Sequence, residues 1–275
     1  MYSSCIIIPI YKNTPNELEI LSLRQCLSIL MRYDIFFITH RGVNTVIYDN
    51  VCSEYSVNIG YEYFDSVFFE GIEGYNMLCL NHAFYSKFLR YDYMLIYQLD
   101  AWVFRDELEE WCMKGYDYIG APWPERVLIP VYNPDNILVG NGGFSLRKIQ
   151  KFVEILKSRR NFYSIKQLSL FNNETSKRFI IKKLKLLLMV FGWHNKVNDV
   201  IKFSQPLPED VFWSIIVHYS NFKLYLPDVT TAALFCLECD PYRYYSQTQK
   251  LPFGVHAFYK ENNYSFWNKY IERIR

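Results

Sequence analysis

Four short segments of this sequence carry residues that could do chemistry. The apolar run YMLIYQL ends at Asp100, the segment PEDVFW places Glu209 beside Asp210, and PFGVHAF carries His256. Carboxylates and an imidazole can exchange protons with a substrate or contribute ligands to a cation. The fourth segment, VGNGGF, has glycines that would let the backbone approach a ligand closely.

Each segment also has an ordinary structural explanation. Asp100 could cap a helix or accept a buried hydrogen bond, and His256 could be a packed core histidine. The helix dipole alone favours carboxylates such as Glu209 and Asp210 where a helix begins. Adjacent glycines also permit a simple tight turn. No segment taken singly decides the function.

The chain around these segments alternates between strand and helix patterns. Strands are predicted at 5–10, 34–40, 93–100 and 116–119, and helices at 18–31, 75–90, 149–156 and 206–219. Such alternation predicts an α/β fold with a mostly parallel central sheet flanked by helices. Ligands of open α/β sheets bind beyond the carboxyl ends of the strands, and Asp100 stands at such an end.

In their order along the chain, DAWVF, NGGFSL, PEDVFW and GVHAF resemble the motifs of GT-A glycosyltransferases. A more specific resemblance, carried by EGYNMLCL, YQLDAWVF, GYDYIGAPW and VGNGGFSLRK, is to a domain-of-unknown-function family of bacterial and fungal proteins regarded as glycosyltransferases. It extends from about Phe68 to Phe258 and weakens in a basic insertion at about 157–200. It implies one GT-A-like domain over residues 1–275, with a nucleotide-binding half at 1–120 and an acceptor half at 121–275.

The resemblance implies an inverting transfer in which Asp210 takes the proton of the acceptor hydroxyl, while Glu209 binds the acceptor or caps the helix. The expected donor-binding residues are Pro9 and Tyr11 at the exit of the first predicted strand, His40 at the exit of the second, and Tyr75, Asn76, Asp100 and Trp102. The implied sugar- or acceptor-binding residues are Trp123, Asn141, Gly142, Gly143 and Trp213, with the glycines expected in a loop that shapes the sugar site.

The role of a metal ion is left open by one departure from the pattern. The sequences of inverting enzymes of this class have three acidic residues before Val-Phe, and the last of the three is the usual metal ligand. Here the triplet is Asp100-Ala101-Trp102. Asp100 and His256, together with the diphosphate of the donor, could still hold Mn²⁺ or Mg²⁺. Otherwise the cationic role falls to lysines and arginines, with Arg147, Lys148 and the basic insertion available.

Charge is distributed unevenly along the chain. The net charge of +2 argues against a dedicated nucleic-acid binder, but the segment 157–196 alone carries +9, so the remainder carries −7. Within it, residues 177–191 mix cations with leucines, a pattern that suits the surface of an anionic membrane. A helix that packs its leucines on the core would show the same pattern.

The odd number of cysteines and their apolar surroundings predict reduced thiols in a cytoplasmic protein. The first residues lack the pattern of a signal peptide, and no apolar run has the length of a membrane span. We therefore expect a cytoplasmic location, with peripheral contact to the inner membrane left open by the basic insertion.

These observations favour a glycosyltransferase that moves a sugar from a nucleotide-sugar donor to a hydroxyl of a glycan or lipid-linked glycan, as in the synthesis of bacterial surface polysaccharide. The alternative is a glycan- or nucleotide-binding module that has lost catalysis, which the missing acids at Ala101 and Trp102 would explain. A nucleotidyltransferase ranks last, because no glycine-rich basic loop follows the first strand.

Overall fold

A computed structural model of the chain describes residues 2–55, 57, 59–124, 131, 133–170 and 188–271. The strands are β1 (Ser4–Pro9), β2 (Asp34–Thr39), β3 (Ile59–Tyr63), β4 (Tyr93–Tyr97), β5 (Trp102–Val103), β6 (Tyr118–Pro122), β7 (Val139–Lys148), β8 (Cys236–Leu237) and β9 (Gly254–Val255). The helices are α1 (Glu17–Leu30), α2 (Val46–Ser53), α3 (Gly71–Cys79), α4 (His82–Ser86), α5 (Leu108–Met113), α6 (Ile149–Leu156), α7 (Ile165–Leu170), α8 (Val197–Ser204), α9 (Glu209–Val211), α10 (Val229–Phe235), α11 (Pro241–Thr248) and α12 (Glu261–Ile271).

The central sheet has the strand order β3-β2-β1-β4-β7-β6. The first four strands are parallel to one another, whereas β7 runs antiparallel to both β4 and β6. A small second sheet has the order β5-β9-β8. The predicted α/β fold with a mostly parallel sheet flanked by helices is confirmed.

The two central strands, β1 and β4, are apolar on both faces because each face of the sheet is covered by helices. Ile6 in β1 lies in a core cluster with Leu23 of α1, while its neighbour Ile7 lies in a separate cluster with Phe84 of α4. Successive side chains of a strand point to opposite faces, so a strand covered on both sides must be apolar at every position. This explains the continuous runs that marked β1 and β4 in the sequence.

The glycine-rich segment is part of strand β7 and not the loop that the sequence suggested. Its pairing with β4 joins Leu146 to Leu95 and Phe144 to Tyr97. Because the two strands are antiparallel, the amino half of β7 extends past the carboxyl end of β4. The glycines therefore lie at the edge of the sheet where the parallel strands end.

The predicted helix at 75–90 is two helices, α3 and α4, with a break between them. The side chain of Asn81 accepts a hydrogen bond from the backbone N–H of Ala83 at 2.9 Å and so begins a new helix. Asparagine is among the preferred residues at this capping position. The break turns α4 onto the sheet, where Phe84 and Tyr85 are buried.

Two tryptophans that were expected to touch ligands lie in the core instead. Trp102 is 2% exposed, and its ring packs 5.6 Å from that of Phe258. Trp213 is fully buried with its ring 4.2 Å from Phe152, and its Nε1–H donates to the carbonyl of Cys79 at 3.2 Å. The predictions of a donor contact for Trp102 and an acceptor contact for Trp213 are corrected by this burial.

The basic insertion predicted at about 157–200 falls partly outside the described residues, and so does most of the stretch 177–191 that could lie on a membrane. None of the described helices is long and apolar enough to cross a membrane. The division of the chain into a nucleotide-binding half and an acceptor half stays a prediction.

The burial of Trp213 leads to a test against an exposed tryptophan. We expect Trp213→Ala to lower the free energy of unfolding by about 3–5 kcal/mol, because it leaves a cavity and removes a buried hydrogen bond. Trp193 is 53% exposed, so Trp193→Ala should change the same quantity by no more than about 0.5 kcal/mol. Urea unfolding of both variants measures this, and equal losses would contradict the core position.

Candidate active site

A cleft of about 500 Å³ lies beyond the carboxyl ends of β1 and β4. Its walls are formed by the end of β1 and the segment after it, α1, α2, the segment before α3, α3, the segment after β4, β7, α9 with the residue before it, and the segment after β9. The lining residues are Pro9, Ile10, Tyr11, Lys12, Glu19, Tyr48, Phe68, Phe69, Gly71, Ile72, Tyr75, Asn76, Gln98, Leu99, Asp100, Asn141, Gly142, Gly143, Pro208, Glu209, Asp210, His256 and Tyr259.

At the end of β1, the cleft carries an ion pair. Lys12 Nζ lies 2.6 Å from Glu19 Oε1, and the other oxygen of Glu19 accepts a hydrogen bond from the backbone N–H of Asn16 at 2.8 Å. Asn16 in turn accepts from the backbone N–H of Glu19, which completes a capping box at the beginning of α1. The capping box thus fixes Glu19, and Glu19 directs Lys12 along the wall of the cleft.

At the end of β4, Asp100 and His256 form a second charged group. Asp100 Oδ1 lies 3.2 Å from His256 Nε2, and Glu238 Oε2 lies 3.5 Å from the opposite ring nitrogen, Nδ1. Gln98 Oε1 is also 3.2 Å from His256 Nε2. Burial disfavours the charged imidazole, but the two carboxylates outweigh it and raise the pKa of His256 to about 9. The side chain is therefore an imidazolium at neutral pH.

Two glycines of β7 separate this charged group from the carboxylates of α9. A Cβ added at Gly143 would overlap the imidazole of His256. A Cβ added at Gly142 would lie 2.5 Å from Glu209 Oε1 and 3.6 Å from the Cβ of Asp210. The close approach of these side chains to the strand requires glycine at both positions.

One of these two carboxylates, that of Glu209, belongs to a buried ion pair with Arg147. Arg147 of β7 is fully buried and donates to both oxygens of Glu209, from Nη1 at 3.0 Å and from Nη2 at 2.6 Å. Glu209 is 3% exposed, and its backbone N–H donates to Asn76 Oδ1 of α3 at 3.2 Å. The sequence suggested Arg147 as a cation for the diphosphate of a donor, and its pairing with Glu209 corrects that suggestion.

Asp210 is half-buried at the beginning of α9, with its carboxyl group on the cleft. Burial raises its pKa most, the adjacent Glu209 carboxylate adds to the effect, and the pKa reaches about 7. The backbone N–H of Val211 donates to Asp210 Oδ1 at 2.8 Å and opposes this rise in part. A carboxyl group in this state can accept a proton and release it again near neutral pH.

The cleft brings together most of the residues that the sequence singled out. The predicted residues that line it are Pro9, Tyr11, Tyr75, Asn76, Asp100, Asn141, Gly142, Gly143, Glu209, Asp210 and His256. His40 and Trp123 are outside the lining, although the ring of His40 packs 5.6 Å from Phe69, which does line it. These two residues therefore do not line this cleft, and their contacts with ligand stay predictions.

The sequence did not identify every residue that shapes the site. Gln98 precedes Asp100 by two positions and could have been found from that spacing. Lys12 and Glu19 could have been found from the capping pattern before α1. Glu238 gave no usable signal, because it reaches His256 only through the pairing of β8 with β9.

The Asp100–His256 pair fits a metal ion in part. Asp100 Oδ1 is buried and accepts no hydrogen bond from the residues that the structure describes. Its distance of 3.2 Å from His256 Nε2 suits two neighbouring ligands of an octahedral ion. Among the described residues, however, no three side chains of His, Cys, Asp or Glu form a metal cluster. Such an ion would need further oxygen ligands, which Gln98 and the diphosphate of a bound donor would supply. It would also have to displace the proton of His256.

The sequence and the fold of this chain are similar to those of known proteins. Residues 58–256 match a protein-family model described as "Protein of unknown function (DUF5672)". A search of the curated proteins found no match. The structure is similar to mouse xyloside xylosyltransferase 1 in its apo form, at 11% identity, with 92% of this chain and 97% of that chain covered and a TM-score of 0.52.

It is also similar to the galactosyltransferase LgtC in complex with donor and acceptor sugar analogs, at 12% identity, with 98% and 94% covered and a TM-score of 0.53. At such identities the likeness shows the fold alone. The GT-A fold expected from the order of the motifs is confirmed.

The raised pKa of Asp210 predicts a pH dependence of stability. The pKa of an aspartate in the unfolded chain is about 3.9, whereas the pKa of Asp210 in the folded protein is about 7. Between these two pH values the folded state binds more protons than the unfolded state. The free energy of unfolding should therefore fall as pH rises from about 4 to about 7. Asp210→Asn should not show this fall in stability. The free energy of unfolding of the variant minus that of the wild type should therefore rise by up to about 4 kcal/mol as pH increases from about 4 to about 7.

Urea unfolding between pH 4 and 8 measures the difference, with Asp228→Asn as a control of opposite sign. The backbone N–H of Thr231 lowers the pKa of Asp228, so its stabilising contribution is complete above the unfolded value. The difference between Asp228→Asn and wild type should therefore stay constant above about pH 5. A difference that is equally constant for Asp210→Asn would show that Asp210 has an ordinary pKa.

Proposed function

Because the chain belongs to the DUF5672 family of proteins of unknown function and has the GT-A fold, we propose that it is a glycosyltransferase. It transfers a sugar from a nucleotide-sugar donor to a hydroxyl group of an acceptor, with inversion at the anomeric carbon. The observation that carries the proposal is the Asp210 carboxyl group. It is half-buried, has a pKa of about 7 and faces the same cleft as the Asp100–His256 pair.

The donor diphosphate is assigned to the end of β4. When the bond between the anomeric carbon and the diphosphate oxygen breaks, the electron pair leaves with the nucleoside diphosphate, and negative charge grows on its oxygens. The imidazolium of His256 lies in this part of the cleft and the ammonium of Lys12 at the end of the neighbouring strand β1, and both positive charges stabilise the negative charge on the leaving diphosphate. A divalent cation held by Asp100 and His256 would supply the same charge stabilisation when bound.

The acceptor is assigned to the side of Asp210. Its carboxylate takes the proton of the acceptor hydroxyl while the hydroxyl oxygen forms the new bond to the anomeric carbon. Attack from the face opposite the leaving diphosphate inverts the configuration. The glycines at 142 and 143 let Glu209 and His256 approach β7 closely, since side chains there would meet these two residues. The sugar is assigned to the cleft between Asp210 and His256.

A catalytically inactive binding module on the same fold is the second candidate. It is favoured by the burial of Trp102, which occupies the position of the missing metal-binding acid and has no access to the cleft. Both candidates require a nucleotide to bind. They differ in whether the nucleoside diphosphate is released.

To test the proposal, the protein is mixed with each sugar nucleotide of a panel, in the presence of EDTA or of Mn²⁺. For each mixture the melting temperature and the released nucleoside diphosphate are measured. We expect one nucleotide class to stabilise the wild type and to be turned over. Asp210→Asn should still be stabilised by that nucleotide but should lose at least about 100-fold in turnover, because the proton acceptor is gone.

The matched control is Asp34→Asn, at the amino end of β2 and so at the opposite edge of the sheet, which should keep both properties. Stabilisation without any release of diphosphate would establish the binding module. Equal turnover by wild type and Asp210→Asn would exclude Asp210 as the base. The EDTA arm decides whether Asp100 and His256 act with a metal ion or as an ion pair.

We also propose that the acceptor is a glycan or lipid-linked glycan of surface polysaccharide synthesis and that the protein works in the cytoplasm at an anionic membrane. The support is the described part of the basic insertion. Arg159 and Arg160 are exposed there, and so are the rings of Phe191 (81%) and Trp193 (53%). Exposed aromatic rings beside cations suit the interface of an anionic bilayer.

Vesicle sedimentation tests this membrane proposal. The protein should bind vesicles rich in phosphatidylglycerol, bind phosphatidylcholine vesicles weakly, and be released by salt. Phe191→Ser with Trp193→Ser should weaken binding about tenfold, whereas Met113→Ser, at an equally exposed position on α5, should not. Binding that ignores lipid charge, or that survives the double change, would contradict the proposal.

A further inference from the structure

Residues other than Glu209 already hold the guanidinium group of Arg147 in place. Its Nε–H donates to Ser145 Oγ at 3.2 Å, and Nη1–H donates to the hydroxyl of Tyr85 at 2.9 Å. The guanidinium carbon lies 5.3 Å from the ring centre of Tyr118 and 5.9 Å from that of Phe152. The cation is thus held by residues from β6, β7, α4 and α6.

Glu209 is then held from two directions. Its carboxylate accepts the two parallel hydrogen bonds from Arg147, a bidentate arrangement that fixes direction as well as distance. Its backbone N–H donates to Asn76 of α3, which is itself buried. Both ends of the residue before Asp210 are therefore immobilised.

Stability alone does not account for this pair. Removing two charges from water is costly, and well-packed apolar residues of similar size are often as stable as a buried ion pair. The pair lies directly beneath the cleft, where a Cβ at Gly142 would be 2.5 Å from Glu209 Oε1 and 3.2 Å from Arg147 Nη2. This location indicates a role in the site.

We propose that Arg147 is a positioning residue, which holds the ionised Glu209 in one place beneath the cleft and so fixes the position of the neighbouring Asp210 carboxyl group. This inference rests on the proposed function for its consequence in catalysis. Arg147 is fully buried and is not among the residues that line the cleft, so its effect must pass through Glu209 and the first turn of α9.

The same arrangement controls the charge that Asp210 experiences. The ionisable groups that face its carboxyl group are Glu209 on α9, Arg147 on β7 and Tyr118 on β6. Of the first two, the Glu209 carboxylate has the larger effect and raises the pKa of Asp210, while Arg147 lowers it by less. Neutralising the pair should therefore let Asp210 lose its proton at lower pH.

The experiment uses a neutral pair of similar size, Arg147→Met with Glu209→Gln, because Arg147→Met alone would leave a buried charge without a partner. The stability difference between Asp210→Asn and wild type is measured against pH in both backgrounds. We expect its midpoint to move to lower pH by about one unit in the neutral-pair background. We also expect kcat to fall about tenfold or more, with a smaller change in KM for the donor.

Two further variants separate position from charge. Arg147→Lys keeps the positive charge but cannot donate two parallel hydrogen bonds, so it should keep the midpoint near that of wild type while kcat still falls. The matched control is Arg24→Met with Glu54→Gln, which neutralises an exposed bidentate pair between α1 and the end of α2. It should change neither the midpoint nor kcat.

A failure of this inference can be distinguished from a failure of the proposed glycosyltransferase function. If the wild type turns over no sugar nucleotide, that function fails, but the midpoint still reports whether the pair acts on Asp210. An unchanged midpoint in the neutral-pair background would overturn the inference even in an active enzyme. Wild-type kcat in Arg147→Lys would overturn the positioning role of the guanidinium.

Discussion

The buried pair between Arg147 and Glu209 is the interaction on which the rest of the site depends. An ionised carboxylate and a guanidinium without water must satisfy each other and their remaining hydrogen-bonding groups. Here the requirement joins β7 to α9 directly, to α4 through Tyr85 and to α3 through Asn76. Four elements from three distant parts of the sequence are therefore fixed relative to one another around one wall of the cleft.

The direction of β7 makes this arrangement possible. In a wholly parallel sheet, the strand beside β4 would bring its amino end to the opposite edge. Because β7 is antiparallel, its first residues reach the edge where β4 ends, and Arg147 lies opposite Met94 inside the sheet. The glycines thus meet the ligand space, while the arginine four residues beyond is buried against α9. One strand supplies both the open surface and its support.

The cleft holds two ionisable groups that behave in opposite ways on its two sides. His256 keeps its proton because two carboxylates surround it, whereas Asp210 lies beside another carboxylate in a half-buried position. At neutral pH the first is a cation and the second is close to its midpoint. Such a separation of proton affinities is typical of sites in which one ionisable group acts as an acid and another as a base.

The sequence by itself determined the α/β alternation, the mostly parallel sheet and most of the residues that meet in the cleft. The alternation and the sheet follow from local patterns, since apolar runs mark buried strands. Asp100 was found because it stands where such a strand ends, whereas the carboxylates of α9 and the glycines of β7 were implied by the family resemblance. Only the tertiary structure decided that Trp102 and Trp213 are core residues and that Arg147 pairs with Glu209. An indole ring serves a core or a binding wall equally well, and a pairing across 62 residues depends on strand register and helix packing. Those are set by the whole fold, because burial depends on what covers each side chain.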